Sequence, residues 1–339
     1  MHRSNKLFIT PGVLLTFILL CLTVCSPAPQ SILASSITLK AVMASAASDR
    51  VNINYNKWVE TVNNQLKGQV SIKVLGGPEV IASADQIEAL RNRVVDVSCL
   101  QSGQSSGVIP EMMFRVICKM DHKALRESGM LDLINAAATQ KANTVFLGTL
   151  SSYNQFWLCW NTEVKNPKTD FAGLKLRGVA TYNPGIKTLG ATPVTLPMSE
   201  LFTAVDRKMV DGFGQPIVEV EGQGYGKMKM IKWAAYMGLA GGQGEILVNQ
   251  NAWKSIPSDA QQKIMAITKQ YEEEAATFWK QQLETAWKAL QEQGVKAPNW
   301  SAADMTWFQG IWGDGILQDL KAKVSADAIA KYSSIVGKK

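Results

Sequence analysis

The sequence predicts an α/β protein with two lobes around a cleft, in which crossover strands and one long helix connect the lobes. Strand-like and helix-like segments alternate over residues 37–100, and a second alternating block covers about 155–245. Such alternation is typical of parallel sheets covered by helices. No low-complexity linker separates the blocks, and a helical pattern from Ser258 to Gly294 is too long for one small domain.

The first block reads β-α-β-α-β. Runs of β-prone residues predict its strands, and apolar residues at helical spacing predict its first helix. Ser83 and Gln86 have the spacing of a capping box, which predicts the start of the second helix. We therefore expect a mostly parallel sheet. Its predicted elements are strand 37–43, helix 51–66, strand 70–75, helix 83–93 and strand 94–100.

The rest of the chain predicts a second block and the long helix. Ser258 and Gln261 predict a capping box at the start of that helix, and two helices with a kink near Gln281 are the alternative. The expected lobes are 37–154 plus 243–280, and 155–242 plus 281–339. The predicted elements are strands 144–150, 175–179, 194–196 and 245–249, a short strand from Asp211, a helix after Pro184 and a helix over 198–210.

The N-terminal segment resembles a secretory signal peptide over residues 1–36. A basic start precedes an apolar core over 12–25, and Ala34-Ser35-Ser36 has the small residues of a cleavage site. The mature chain is then expected to begin near Ile37 in the periplasm. An uncleaved membrane anchor is one alternative, and a lipoprotein attached through Cys25 is another.

Composition excludes several classes of function. The 339 residues carry a formal net charge of +7 with scattered basic residues, which gives no nucleic-acid-binding patch. The chain has two His, so a His-rich metal site is not expected. The only long apolar segment is N-terminal, which argues against a polytopic membrane protein. Three of the five Cys follow the predicted leader, and their apolar surroundings favour buried, unpaired thiols over one disulfide. These are Cys99, Cys118 and Cys159.

One motif suggests an enzyme. Residues 103–107 match the G-x-S-x-G pattern of a serine hydrolase, with Ser105 as nucleophile. Pro110 follows where the motif requires a helix, and His122 is the only His after the leader. We therefore expect a flexible, ligand-lining loop at Ser105 and a surface position for His122. A secreted serine hydrolase stays an alternative function.

An ordered set of short motifs closely resembles the solute-binding proteins of tripartite ATP-independent periplasmic (TRAP) transporters, of the dicarboxylate-binding type. The resemblance covers essentially the whole mature chain and implies a two-lobed periplasmic binding protein-like fold without enzymatic activity. It implies a receptor that binds an organic acid, needs no cofactor and delivers the acid to membrane permease subunits. The motifs are Val74–Pro78, Gln86–Leu90, Arg93–Val97, Gly107–Pro110, Gly173–Arg177, Leu189–Val194, Pro197–Leu201, Val210–Gly212 with Pro216, and Asn249–Pro257.

The resemblance also implies the site residues. Arg177 occupies the position of the arginine that pairs with the substrate carboxylate, and a guanidinium suits this role because its planar fork binds both oxygens. Gln215 replaces the family's Asn before Pro, and Met198 lies where an aromatic contact is frequent. Some family members bind their acid together with a metal ion, and Glu245 is the candidate ligand for such an ion.

A gap-free count places Trp157 where many members have a second arginine. With Trp157 and Trp160 as an aromatic wall, the cleft is expected to prefer an acid with one carboxylate and an apolar or aromatic remainder over a C4-dicarboxylate. The alternatives are that Trp157 packs in the core while Trp160 or Phe156 faces the cleft, and that Arg50 supplies the missing charge. A ligand-sensing receptor without transport is the remaining alternative function.

Overall fold

The computed structural model describes residues 36–47, 49–151, 155–179, 181–239 and 241–337, with the backbone alone for Met198 and Ser199. The predicted signal peptide, except for Ser36, lies outside these residues, and so does Cys25. In the part of the chain that is described, no helix is both long and apolar enough to cross a membrane.

The described strands form two five-stranded sheets. The first has the order β2-β1-β3-β10-β4 and the second has the order β7-β6-β8-β5-β9 when the strands are numbered along the chain. These strands are β1 (Ile37–Met43), β2 (Val70–Gly76), β3 (Val97–Leu100), β4 (Thr144–Thr149), β5 (Phe156–Trp160), β6 (Lys175–Gly178), β7 (Thr192–Thr195), β8 (Gly212–Pro216), β9 (Trp233–Leu239) and β10 (Glu245–Asn249).

Helices cover both sheets. They are α1 (Ile53–Gln65), α2 (Gln86–Arg91), α3 (Ser102–Ser105), α4 (Met113–Ile117), α5 (His122–Glu127), α6 (Met130–Ala142), α7 (Asn183–Thr188), α8 (Met198–Asp206), α9 (Ile217–Gly222), α10 (Gln250–Ser255), α11 (Ser258–Glu292), α12 (Ala302–Lys321) and α13 (Ala326–Gly337), with short 3₁₀ helices at Arg50–Asn52 and Pro110–Met112.

Each sheet has the same arrangement of strands. β1 pairs in parallel with β2 and β3, and β6 pairs in parallel with β7 and β8. β10 and β5 are antiparallel to both of their neighbours. Each of these two strands follows a strand of the other sheet in the chain, and it runs opposite to the neighbours that it joins. The sheets are therefore mixed, and the expectation of a mostly parallel sheet was wrong at these strands.

Helix α11 is continuous from Ser258 to Glu292, so the alternative of two separate helices is excluded. At 1.5 Å per residue its length is about 50 Å. Its first half packs with α1 and β4, and it also packs with α9 of the second sheet. The prediction of a helix that spans both lobes is confirmed.

Three apolar clusters hold these layers together. One lies between the first sheet, α1 and the first half of α11, and another between the second sheet, α9 and the second half of α11. The third joins both lobes through α6 and α12. Helix α12 packs on β9 and α7, and α13 packs on α6, which belongs to the first lobe. The lobe boundaries given above stay a prediction.

Two predicted capping boxes are absent. Ser83 Oγ donates instead to the Ala44 carbonyl, and α2 begins three residues later at Gln86. Gln86 is fully buried and its amide bonds Met43 and Ile81 carbonyls. The Gln261 amide likewise donates to the carbonyls of Trp253 and Ile256. Long-range partners have therefore replaced the local contacts that the spacing predicted.

The two segments that cross between the sheets pack against each other. The Leu150 N–H donates to the Gly244 carbonyl at 2.8 Å. Gly244 has a φ of +65°, and a Cβ there would lie 2.8 Å from Ser151 Cβ. Gly242 has a φ of +80°, and a Cβ there would lie 2.7 Å from Val116. Both positions therefore require glycine for their backbone conformation and for close packing.

Candidate ligand-binding cleft

A cleft of about 940 Å³ lies where the carboxyl ends of parallel strands from both sheets meet. This edge is the usual ligand site of open α/β sheets. The first sheet contributes the segments after β1 and β3, and the second contributes the ends of β6 and β8. The lining residues used below are Asp49, Met113, Phe156, Arg177, Tyr182, Gln215, Glu219 and Gln223.

Arg177 lies in β6 and lines the cleft with 4% of its surface exposed. Its Nε and Nη2 both donate to the Leu196 carbonyl, at 3.4 and 3.3 Å. No carboxylate of the described residues forms an ion pair with it. A guanidinium buried without a counter-ion is costly, so the cleft is suited to an anion.

Gly178, directly after Arg177, lies in close contact with helix α7. A Cβ at this position would approach Ile186 Cδ1 to 2.7 Å and would also collide with the Asn183 amide. Helix α7 therefore packs directly on the end of β6. This close packing fixes the strand end that carries the arginine.

Gln215 lies in β8 and also lines the cleft, with 2% of its surface exposed. Its Nε2 donates to Gln223 Oε1 at 3.2 Å, whereas its own Oε1 is buried without a hydrogen-bond partner. An unsatisfied buried acceptor costs free energy. The cleft therefore offers a hydrogen-bond acceptor as well as a cation.

The aromatic surface of the cleft consists of Phe156 and Tyr182. Their ring centroids are 6.0 Å apart and both residues line the cleft. Burial raises the pKa of the Tyr182 hydroxyl to about 12, although the Arg177 charge lowers it slightly. The phenol therefore stays neutral near neutral pH.

Trp157 and Trp160 do not line the cleft. Trp157 packs on Trp287 at 4.7 Å, on the face that α11 covers, and Trp160 stacks on Trp300 at 5.8 Å in the core. Adjacent residues of a strand point to opposite faces of the sheet. Phe156 therefore faces the cleft, in the place that the gap-free count gave to Trp157. The structure matches the alternative arrangement stated in the sequence analysis. The expected Trp157–Trp160 wall is not present.

Met198 is the first residue of α8, and its side chain is not described. Its contact with a ligand stays a prediction. Arg50 does not line the cleft, and its guanidinium lies 3.7 Å from the Glu221 carboxylate. The alternative that Arg50 supplies the second positive charge therefore has no geometric support.

Glu245 is fully buried beside the cleft instead of lining it. Its Oε1 accepts a 2.5 Å hydrogen bond from Ser102 Oγ. Burial raises its pKa to about 7, and the Ser102 hydrogen bond and the Arg115 charge offset part of the increase. Among the described residues no group of three His, Cys, Asp or Glu could hold a metal ion. A metal role for Glu245 stays a prediction.

Ser105 does not have the geometry of a nucleophile. It is fully buried, and its hydroxyl lies 3.3 Å from the carbonyls of Gln101 and Ser102. It ends the short helix α3, so the expected flexible loop was wrong. His122 is also buried, contrary to the expected surface position. Burial and the charges of Arg115 and Arg126 lower its pKa to about 3.

The three cysteines after the predicted leader are buried and free, which confirms that interpretation. Burial raises the pKa of Cys99 and Cys159 far above the usual range, so these thiols are unreactive near neutral pH.

Asp49 and Glu219 are two cleft residues that the sequence analysis missed. Asp49 follows β1 and is exposed at the cleft, and Glu219 lies half-buried in α9. Burial raises the pKa of both carboxyls, and the Asp49 charge raises that of Glu219 further. The one sequence signal that could have identified them as cleft residues is their position after a strand, because ligands bind at strand ends in such sheets.

The chain is similar to known receptors over most of its length. Residues 41–311 match the family model of the bacterial extracellular solute-binding proteins, family 7 (DctP). A TRAP solute-binding protein of Desulfovibrio salexigens, crystallised with orotic acid, aligns with a TM-score of 0.74 at 15% identity over 89% of this chain and 100% of that one.

Two further crystal structures agree. A Bordetella pertussis extracytoplasmic receptor binding pyroglutamic acid aligns with a TM-score of 0.72 at 13% identity. A Xanthobacter autotrophicus TRAP solute-binding protein with bound β-D-galacturonate aligns with a TM-score of 0.71 at 16% identity. Each covers 89% of this chain and 100% of its own. These likenesses show the two-lobed fold, and the family match shows a periplasmic binding receptor instead of an enzyme. The chain therefore belongs to the family 7 extracellular solute-binding proteins, the solute receptors of TRAP transporters.

Proposed function

We propose that the protein binds an organic acid with a single carboxylate in the cleft and delivers it to the membrane permease subunits of a TRAP transporter. The observation that carries this proposal is Arg177, a buried guanidinium that faces a large cleft without an ion-pair partner in the described chain. Its planar fork matches a carboxylate through two parallel hydrogen bonds.

The other lining residues support one carboxylate over two. Arg177 is the only basic residue among the described lining residues. A second buried carboxylate would therefore lack a counter-charge, and its desolvation would not be repaid. Phe156 and Tyr182 offer flat apolar surface to the rest of the ligand.

Binding would couple the two lobes, because residues of both sheets line the cleft. A ligand that contacts both lobes stabilises the closed state preferentially. Closure is the signal that a permease would read. We take the lobes as 37–154 plus 243–280 and 155–242 plus 281–339.

We also propose secretion to the periplasm with removal of residues 1–36. The described fold supports this cleavage point, because β1 begins at Ile37 and its first N–H bonds the Gln69 carbonyl. Cleavage before Ile37 would leave the sheet complete. N-terminal sequencing of the exported protein tests the site, and a lipid-modified Cys25 would contradict it.

A thermal-shift screen of the mature chain tests the proposed ligand class. Monocarboxylates with ring or apolar portions should raise the unfolding temperature more than succinate or malate, because a bound ligand stabilises the folded state by mass action. Arg177→Ala should weaken binding by about 2–5 kcal/mol in calorimetry. The matched control is Arg207→Ala, since Arg207 is exposed outside the cleft lining.

Two results would contradict the proposal. Native affinity in Arg177→Ala would remove the arginine from the site. Preference for succinate or malate over every matched monocarboxylate would show a second cationic partner for the ligand.

A further inference from the structure

The charges that line the cleft do not match a simple anion. Arg177 contributes one positive charge, whereas Asp49 and Glu219 contribute two carboxylates. Asp49 belongs to the first lobe and Glu219 to the second. The described cleft lining therefore has more hydrogen-bond acceptors than its one cation can satisfy.

The two acids face the same part of the cleft. Arg50, next to Asp49, forms an ion pair of 3.7 Å with Glu221, two residues after Glu219 in the chain. A Cβ on Gly222 would lie 3.5 Å from the Arg50 guanidinium. The segment that carries Asp49 therefore lies against α9. Arg50 also lowers the pKa of Glu219, but one guanidinium shared by Glu219 and Glu221 offsets only part of the acidic charge.

A third acceptor, Gln215 Oε1, indicates that this region is completed by a donor from the ligand. It is buried without a partner, and its amide nitrogen is already used by Gln223. Gln223 also lines the cleft, in the turn that follows α9. Two carboxylates and an unsatisfied amide oxygen can all accept hydrogen bonds, and none can neutralise an anion.

We propose that the acid bound in the cleft is a zwitterion, whose carboxylate pairs with Arg177 and whose ammonium group is held by Asp49, Glu219 and the Gln215 amide oxygen. This inference rests on the proposed function, since it takes the Arg177–carboxylate pair as given. The ammonium would join an acid from each lobe and so favour the closed state.

An inorganic cation between the acids is the competing occupant. The described residues contain no group of three acidic, His or Cys ligands at this position or elsewhere. Two carboxylates and an amide are few ligands for Ca²⁺, which takes 6–8 oxygens. An ammonium needs only three acceptors for its three donors.

Matched ligand pairs test the inference by calorimetry on the mature chain. Each pair has nearly the same shape with and without the ammonium group: phenylalanine and 3-phenylpropanoate, proline and cyclopentanecarboxylate, 5-aminopentanoate and pentanoate, 4-(aminomethyl)benzoate and 4-methylbenzoate. In the pair that fits the cleft, the amino compound should bind roughly 10- to 100-fold more tightly, as expected for charged hydrogen bonds.

Variants at Asp49 and Glu219 test whether these two carboxylates cause the difference in affinity. Glu219→Gln combined with Asp49→Asn should remove most of the preference for the amino compound, by weakening its binding, while the deaminated anion binds as tightly or more tightly because two negative charges leave the cleft. Glu284→Gln is the matched control, because Glu284 is an exposed carboxylate of α11 outside the cleft lining. It should keep the full preference.

The outcomes separate this inference from the proposed function. If the deaminated acids bind as tightly as the amino compounds, and binding depends on Arg177, the inference is wrong and the proposed function stands. The inference is also wrong if added Na⁺ or Ca²⁺ gives the deaminated acids the same affinity. If no acid in either set shows Arg177-dependent binding, the proposed function fails and the inference fails with it.

Discussion

Arg126 and Arg177 are two buried or half-buried arginines whose surroundings differ in one respect. Arg126 Nε donates to Glu272 at 2.6 Å and its Nη2 donates to the Leu147 carbonyl at 3.1 Å. Glu272 in turn accepts the Thr149 N–H at 2.9 Å. Among the described residues, Arg177 donates to the Leu196 carbonyl alone, at longer distances.

This difference separates a structural charge from a charge reserved for a ligand. The Arg126–Glu272 pair lies between the first sheet and α11, so its charges are satisfied when the chain folds. Arg177 faces the cleft and its counter-charge is absent from the described chain. Substitution of Arg126 should therefore mainly lower the stability of the fold, whereas substitution of Arg177 should mainly weaken ligand binding.

Arg126→Met should destabilise the fold by about 3–5 kcal/mol, because it leaves the buried Glu272 carboxylate without its closest counter-ion. Urea unfolding measures this effect. The control is Arg91→Met, whose exposed pair with Glu88 at 3.4 Å should contribute less than about 1 kcal/mol. Equal losses in both variants would contradict a structural role for the Arg126 pair.

Glu245 is a buried carboxyl group with one close hydrogen-bond donor, and it can be compared with the two arginines. Its pKa is about 7 in the folded state against 4.5 as its ordinary value. The folded state therefore holds the proton more tightly, and the stability contributed at low pH is lost as pH rises between these two values. The loss is on the order of 3 kcal/mol from the linkage relation.

Glu245→Gln should abolish this loss, because Gln is neutral and can still accept the Ser102 hydrogen bond. Unfolding free energies of variant and wild type, measured across the same pH range, isolate the effect. His122 acts in the opposite direction, since its lowered pKa makes the folded state lose stability as pH falls below its ordinary value. An unchanged pH profile in Glu245→Gln would show that Glu245 is ionised throughout.

Arg177→Lys keeps the charge and removes the fork. We expect an affinity loss of about 1.5–3 kcal/mol, because a lysine ammonium cannot make two parallel hydrogen bonds to one carboxylate. Calorimetry with the best acid from the screen measures it. Native affinity would mean that the charge alone holds the ligand.

The smallest expected effect is on stability at the same position. Arg177→Met should change the unfolding free energy by less than about 1 kcal/mol, or increase it, because the ligand-free fold leaves this guanidinium poorly satisfied. Urea unfolding without ligand, beside Arg126→Met, measures the contrast. A loss as large as that of Arg126→Met would make Arg177 a structural residue.

The elements predicted most accurately from the sequence are those whose own residues determine their structure. β1 and β10 have the predicted bounds, since both are runs of strand-forming residues followed by a polar or helix-starting segment. β5 and β9 were not predicted as strands, because their aromatic and small residues have no clear period. Capping residues were misplaced wherever a distant carbonyl offered a better partner.

The site residues also differ in how well the sequence predicts them. Arg177 and Gln215 are brought together in the cleft, and both follow from short motifs. The choice between Phe156 and Trp157 depends on strand parity, because a shift of one residue exchanges the two faces of a strand. Asp49 and Glu219 come from segments about 170 residues apart, and no local pattern shows that they share a cleft wall.

The packing of Gly242 and Gly244 has a kinetic consequence for the receptor. The two crossover segments are bonded to each other at Gly244, and Gly242 packs on Ser102 and Val116, so relative rotation of the lobes would disturb these contacts. Release of an enclosed ligand requires that rotation. We therefore expect residence time to be controlled at this point as well as by the ligand contacts. Stopped-flow measurement of ligand dissociation from Gly244→Ala tests this, since the added methyl group would collide with Ser151 and a dissociation rate equal to that of the wild type would contradict it.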